Sequence, residues 1–237
     1  MKNGRWITET GSSTYLSEAV AIWLRDLRGE FRTRYAVNAI LMFAVTTLIA
    51  VSFSIGSFRI GDAEQPFLYA VLLWIILVFS ALSGLARSFV KEEEAGTMDV
   101  LKLSARPQSV YLGKLFFNLT LLGALEFIIV PLFILLMHYK ISSPGLFLAM
   151  VISGGFGLGA GTTIVAAMIA QASARGALFS VLSFPLLLPL MITAIKGCER
   201  AADGMNTAGW PEVRIAVAYT IIMIIMSLFL FPLIWEE

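Results

Sequence analysis

Glu126 is the residue whose type and position most suggest chemistry, because it is a carboxylate in the middle of a long apolar run. A carboxylate in hydrocarbon is costly, so it marks either a pathway for a substrate or ion or a buried polar contact. On the first interpretation, Glu126 and Asn118 form a candidate polar site within a membrane. On the second, Glu126 is a protonated or hydrogen-bonded carboxyl between helices, near Asn118 or Thr120. The sequence leaves both interpretations open.

Other groups that could bind a metal or react are scarce. Cys198 is the single cysteine and His138 the single histidine, so the chain can form neither an internal disulfide nor a cysteine and histidine ligand set. His138, Met191 and Met205 could in principle bind iron, but a lone histidine at the end of an apolar run is typical of a polar anchor. We therefore predict no metal site and no tightly bound cofactor.

No pattern typical of catalysis or nucleotide binding is present in the sequence. A phosphate-binding loop would need a glycine at the required distance ahead of Gly113 and Lys114 and a Ser or Thr after them, and both are missing. There is also no catalytic triad, no zinc-binding helix motif and no pair of intramembrane carboxylates. We therefore predict that the chain is not an enzyme, and that any ATP it depends on is hydrolysed by another polypeptide.

The composition indicates what kind of element positions these residues. The chain is 58% hydrophobic and 14% charged, which is too apolar for an ordinary soluble domain of 237 residues. The net charge of +1 leaves no dominant basic surface for nucleic acid. The predicted fold class is an all-α integral membrane protein.

Six apolar runs approach the roughly 20 residues that a helix needs to cross a bilayer. Within a transmembrane domain at 36–237, these runs are 36–58, 67–86, 115–137, 146–170, 177–195 and 213–235. Lysine and arginine are concentrated before the first run and in the connection 87–114, which predicts that both termini and this connection are cytoplasmic. The fifth run contains Pro185 and Pro189, which predict a hinge, and five spans with a re-entrant fifth segment are the alternative.

Residues 15–35, ahead of the first run, have the periodicity of an amphipathic helix. One predicted face carries Leu16, Val20, Trp23, Leu24, Leu27 and Phe31, and arginines lie on the other. Such a helix lies in the membrane surface, and the alternative is a helix packed on protein. Residues 1–14 form a polar extension to which we assign no role.

The connection 87–114, named here the polar segment, interrupts the apolar pattern. Gly96 can end a helix in the left-handed conformation, Thr97 can cap the next one, and Pro107 suits the first turn of the helix that follows. Residues 98–103 between them would form a crosspiece too short to be stable alone in water. Such a crosspiece is suited to docking a soluble partner, and the alternative is a solvated connector. The residues predicted for this contact are Glu92, Glu93, Glu94, Gly96, Thr97, Met98, Asp99, Leu101 and Leu103.

The fourth apolar run carries two adjacent stripes of small residues. Gly157 and Gly161 belong to one stripe, and Gly155 and Gly159 to the other. Because two backbones can approach closely where side chains are absent, we predict a tight helix contact here, within the chain or across a homodimer.

Together these stretches resemble a permease subunit of the ABC-2 type and, more narrowly, the heme exporter protein B (CcmB) family of cytochrome c maturation. The broader likeness is carried by residues 89–103 of the polar segment. The narrower one is carried by 110–114 and by 175–192 with its two prolines. The resemblance extends over nearly the whole chain from about Tyr15, and residues 1–14 lie outside it.

The resemblance implies an inner-membrane permease of bacteria with its N-terminus in the cytoplasm. It implies a homodimer with two copies of a CcmA-like ABC ATPase, a CcmC-like heme-handling membrane protein and a CcmE-like heme chaperone. The polar segment would receive the movement of the ATPase, and ATP would bind only to that partner. Heme would be either a transported ligand or the load of a chaperone that hydrolysis releases. We favour the second alternative, because no span offers a convincing axial ligand.

Two other functions fit the residues. One is an ABC-2 exporter of a lipid, a glycan or a drug. The other is a membrane scaffold without energy coupling, in which the polar segment only tethers a partner.

Overall fold

The computed structural model describes residues 13–56, 65–85, 89, 96, 101, 103, 105–170 and 175–236. Within these residues the chain forms seven long α-helices and no β-strand, which confirms the all-α class. The helices are α1 (Ser13–Thr33), α2 (Tyr35–Gly56), α3 (Gln65–Leu85), α4 (Pro107–Met137), α5 (Pro144–Ala170), α6 (Arg175–Ala202) and α7 (Asn206–Glu236).

Five of these helices, namely α2, α3, α4, α5 and α7, are long and apolar enough to cross a membrane. The chain is therefore a multi-pass membrane protein. Pro107 is the first residue of α4, as predicted, because a proline there loses no helical hydrogen bond. Helix α6 does not meet the same combination of length and apolar composition within the described residues, so the count of six spans stays a prediction.

Helix α6 nevertheless runs through the bundle as a single helix of 28 residues, about 42 Å long. It continues through Pro185 and Pro189, whose predicted role as a hinge stays a prediction. Its neighbour α5 runs in the opposite direction, because Gly161 of α5 lies against Leu187 and Gly157 lies against Leu190. A continuous helix beside a spanning helix is the geometry that a sixth span requires, and it differs from a re-entrant loop.

Helix α5 lies at the centre and packs against α3, α4, α6 and α7. Its two glycine stripes lie against helices of the same chain: Gly155 and Gly159 lie against α4, whereas Gly157 and Gly161 lie against α6 and α7. The glycines therefore allow α5 to be surrounded on both sides within one subunit, since a backbone without side chains can be approached closely.

Replacing Gly154 with alanine should destabilise the bundle, because a Cβ at this position would overlap the ring of Trp74. Trp74 is fully buried and its Nε1 donates to the Cys198 sulfur at 3.3 Å, so the ring has little freedom to move. Overpacking of this kind costs about 1–3 kcal/mol. We expect a lower midpoint of thermal unfolding in detergent for Gly154→Ala. The matched control is Gly145→Ala, whose Cβ would meet nothing within 4 Å, and equal midpoints for the two variants would contradict this packing.

Helix α1 packs along the first half of α4. Trp23 donates from Nε1 to Thr120 Oγ1 at 3.0 Å, and the Arg106 guanidinium lies 4.5 Å above the Tyr15 ring. A Cβ at Gly113 would come within 3 Å of Ile22 and of the Ala19 carbonyl, so the two helices touch closely there. The helix is thus packed on protein, which was the alternative to a helix lying only in the membrane surface.

The packed face of α1 coincides only in part with the apolar face that the periodicity predicts, of which Trp23 and Leu27 pack against the core. It is centred on the buried residues Ala19 and Ile22, because Gly113 of α4 leaves room for them. Leu16, Val20, Leu24 and Phe31 belong to the predicted face and remain exposed, so contact of this ridge with the membrane surface stays a prediction.

The connections at one end of the bundle are tied together around Tyr139, which follows α4. Its hydroxyl donates to the Cys198 carbonyl of α6 at 3.1 Å, and Ser143 N donates to the Ala201 carbonyl at 2.9 Å. The polar segment joins α3 to α4 at the opposite end, because α4 begins there and ends beside Tyr139. The two ends of the molecule are therefore distinct, and only the polar-segment end carries the predicted docking residues.

Candidate functional site

The structure describes part of the polar segment: Phe89, Gly96, Leu101, Leu103 and residues 105–114. The predicted contact residues Glu92, Glu93, Glu94, Thr97, Met98 and Asp99 lie outside the described residues. Gly96 has φ +64°, which is the left-handed conformation predicted for it and one that glycine adopts without a steric penalty.

Phe89 anchors the start of the polar segment to the bundle. It is 1% exposed, and its ring centroid lies 5.7 Å from that of Phe231 near the end of α7. Phe231 in turn contacts Tyr111 in the first turns of α4, at 5.6 Å, and Trp235, at 5.1 Å. Phe89 therefore connects the start of the polar segment to α7 and, through Phe231, to α4.

Leu101 and Leu103 have opposite environments although they are two residues apart. Leu101 is 4% exposed and belongs to the hydrophobic core, and its carbonyl accepts from Ala105 N at 3.2 Å. Leu103 is 90% exposed. The two leucines therefore differ in burial, with Leu101 packed against the rest of the chain and Leu103 exposed, a difference that the sequence did not show.

A buried ion pair connects the end of the polar segment with α1. Lys114 Nζ lies 2.8 Å from Asp26 Oδ2, and the lysine side chain is 3% exposed. Nζ also lies 5.7 Å above the Phe89 ring, so the anchor and the ion pair are adjacent. From the sequence, Lys114 was considered as a basic residue that sets topology, as part of an incomplete phosphate-binding motif and as part of the stretch 110–114 that carries the resemblance, but not as a member of an ion pair. The signal that could have found this pair is Asp26 itself, an acidic residue between the arginines of α1.

Asn118 is a helix contact in the structure. It is fully buried, and its Nδ2 donates to Thr163 Oγ1 of α5 at 2.8 Å. Glu126 lies on the same side of α4 but two helical turns away, about 12 Å along the axis. The structure therefore does not join Asn118 and Glu126 into one site, and Thr120 instead accepts from Trp23.

Glu126 lies between α4 and α5, where its carboxylate contacts the backbone of Gly155. Its Oε1 is buried and has no hydrogen-bond partner among the described residues. A carboxylate or carboxyl group left in this state in hydrocarbon costs several kcal/mol. Neither Asn118 nor Thr120 satisfies it, so the second interpretation of the sequence finds no hydrogen-bond partner for Oε1 in the part of the chain that the structure describes.

The three residues considered as iron ligands lie in different parts of the fold and differ in exposure. His138 is exposed and caps the C-terminus of α4 in the left-handed conformation, with φ 51°. Met191 is buried in α6, and Met205 is exposed in the turn before α7. Among the described residues no group of three or more His, Cys, Asp or Glu side chains is arranged to hold a metal ion.

Comparison with known proteins identifies the family. Residues 17–234 match the family model described as CcmB protein. The chain is also 23% identical over 197 residues to heme exporter protein B of Bradyrhizobium diazoefficiens, an alignment that covers 81% of this chain and 85% of that protein. The matched region includes all of the polar segment and every helix from α2 to α6, so the resemblance read from the sequence is confirmed. The chain belongs to the CcmB family.

Proposed function

We propose that this chain is the permease subunit of an ATP-driven complex in the biogenesis of c-type cytochromes. A separate CcmA-like ATPase would bind the polar segment on the cytoplasmic side of the bacterial inner membrane, where the N-terminus would also lie. Two copies of the permease would associate with a CcmC-like heme-handling protein and a CcmE-like chaperone. The family match, together with the name of the Bradyrhizobium relative, supports this assignment.

The observation that carries the coupling part of the proposal is the contrast between Leu101 and Leu103. Leu103, which is 90% exposed, would be the docking side chain, and Leu101, which is 4% exposed, would hold the crosspiece against the core. A stroke of the ATPase against Leu103 would move the crosspiece, and Phe89 would pass the movement to α4 and α7 through Phe231. The Lys114–Asp26 pair would carry α1 along with α4.

Heme would be handled by the complex as cargo. Release of a heme-loaded chaperone is favoured over passage of heme through this subunit, because His138 lies in an exposed turn and not within a span. ATP hydrolysis itself would take place in the partner, whose nucleotide-binding motif this chain lacks.

Deletion of the gene with plasmid-borne complementation tests this function. We expect the deletion strain to lose nearly all holo-cytochrome c, measured by heme staining and by difference spectra, and the intact chain to restore it. Normal holo-cytochrome c in the deletion strain would favour an ABC-2 exporter of another substrate. Restoration by a complex whose ATPase cannot hydrolyse ATP would favour the uncoupled scaffold.

A further inference from the structure

A groove opens to the outside of the helix bundle between α4 and α5, with Glu126 at its floor. It encloses about 390 Å³ and is almost entirely apolar. Phe127, which is 82% exposed, and Phe156 stand on its rim, while Gly155 lies beside the carboxylate at the floor. Exposed apolar side chains are normal on a membrane protein, so the carboxylate and the concave shape are the features that need an explanation.

Glu126 is the central residue of the span 115–137, so it lies near the middle of the bilayer, roughly 15 Å from either surface. Its buried Oε1 receives no hydrogen bond from the described residues. The occupant that suits this groove must therefore be apolar along its length and must carry a hydrogen-bond donor at mid-bilayer depth.

We propose that the groove receives a transmembrane helix of a different subunit, and that this helix donates a hydrogen bond from a polar or basic side chain to Glu126. Lipid acyl chains reach this depth but have no donor, and lipid headgroups do not reach it. A helix satisfies both requirements, because its apolar face can fill the groove while one side chain pairs with the carboxylate. Gly123, where an added Cβ would meet nothing within 4 Å, allows its backbone to approach closely.

A second copy of this chain is a poorer occupant. At mid-span depth, the described spans expose Thr46 of α2 as a polar side chain, and a helical threonine usually satisfies its hydroxyl on its own backbone. A basic side chain of another polypeptide would pair with the carboxylate more strongly than a hydroxyl that is shared with its own backbone. The inference rests on the proposed function for the presence of a membrane partner and adds the place and the chemistry of the contact, whichever cargo the complex handles.

Site-specific photocrosslinking in the intact complex tests the inference. A benzoylphenylalanine replaces Phe127 on the rim or, as a control, Phe53, which is 79% exposed on α2. We expect position 127, and not position 53, to form an adduct that peptide mapping assigns to an apolar segment of a co-purified subunit. An adduct with a second copy of this chain, with lipid, or with no polypeptide would overturn the inference.

Two pairs of variants test the roles of the carboxylate and of the shape of the groove. Glu126→Leu should lower the yield of the adduct roughly three- to tenfold, whereas Glu126→Gln, which still accepts a hydrogen bond, should keep most of it. Gly123→Leu should block the groove without disturbing the fold, since a Cβ there meets nothing within 4 Å, and Gly145→Leu is its matched control outside the groove. Equal yields from Gly123→Leu and Gly145→Leu would overturn the inference even if Glu126→Leu did not reach the membrane.

The same samples separate this inference from the proposed function. A complex that retains its ATPase but gives no helix adduct at position 127 would refute the inference alone. Loss of the ATPase from otherwise intact wild-type preparations would count against the proposed function instead.

Discussion

Replacing Leu103 with aspartate should weaken binding of the proposed partner ATPase by about tenfold to thirtyfold and remove most of the stimulation of its activity that the proposed function expects from this chain. Leu103 is 90% exposed on a crosspiece whose other leucine is buried, so it is the apolar side chain that a partner can cover. A well-packed apolar side chain at the centre of an interface contributes about 2 kcal/mol or more, and a carboxylate in its place would also have to be desolvated. The measurements are ATPase activity in proteoliposomes and co-purification of the ATPase.

The controls for Leu103 separate docking from folding. Met205→Asp places the same charge at an exposed position at the opposite end of the bundle, and it should leave the activity unchanged. Leu101→Asp is unsuitable as a docking test, because Leu101 is 4% exposed and the charge would enter the core. Full stimulation by Leu103→Asp would show that the ATPase binds elsewhere.

Replacing Asp26 with alanine should lower the free energy of unfolding by about 3 kcal/mol and loosen α1 from α4. The substitution removes the carboxylate 2.8 Å from Lys114 and leaves a lysine side chain that is 3% exposed without this counter-charge. Breaking a buried ion pair from one side costs about 3–5 kcal/mol because the remaining charge stays desolvated. Thermal unfolding in detergent measures the stability, and proteolysis at the arginines of α1 reports its release.

The two members of the pair should not be equivalent. Lys114→Met should cost less than Asp26→Ala, because Asp26 would keep its contact with Arg25, which lies 2.8 Å away and is half exposed. Combining Asp26→Ala with Lys114→Met should recover most of the loss, since neither member of the pair is then left as a buried charge without the other. A double variant as unstable as Asp26→Ala alone would mean that the pair is not the main connection between α1 and α4.

The helical class and the main elements followed from the sequence because they depend on local and compositional properties. Long apolar runs need no knowledge of their neighbours to be read as membrane helices, and the start of α4 at Pro107 depends on one residue. The face of α1 could not be read in this way. Its periodicity predicts an apolar face, but the surface of α1 that contacts α4 is centred on Ala19 and Ile22, because Gly113 of α4 has no side chain to keep them apart.

The residues of the candidate site could be predicted from the sequence, but their contacts and exposure could not. The polar segment and Glu126 stand out in the sequence because charge is costly in hydrocarbon wherever the chain folds. Which leucine of the crosspiece is exposed, and whether Asn118 would satisfy Glu126, depend on side chains that are distant in sequence. The structure pairs Asn118 with Thr163 and leaves Glu126 at the floor of a groove.

The sequence by itself determined that this protein is a helical membrane protein of the CcmB family with a polar segment between its second and third apolar runs. Those features follow from hydropathy and from residues read in order along the chain. Only the tertiary structure decided that Lys114 pairs with Asp26, that Leu103 and not Leu101 is exposed, and that the glycines of α5 accommodate helices of the same subunit. The physical reason is that these outcomes depend on which surfaces meet when the helices pack, and close packing is settled by shape between distant segments.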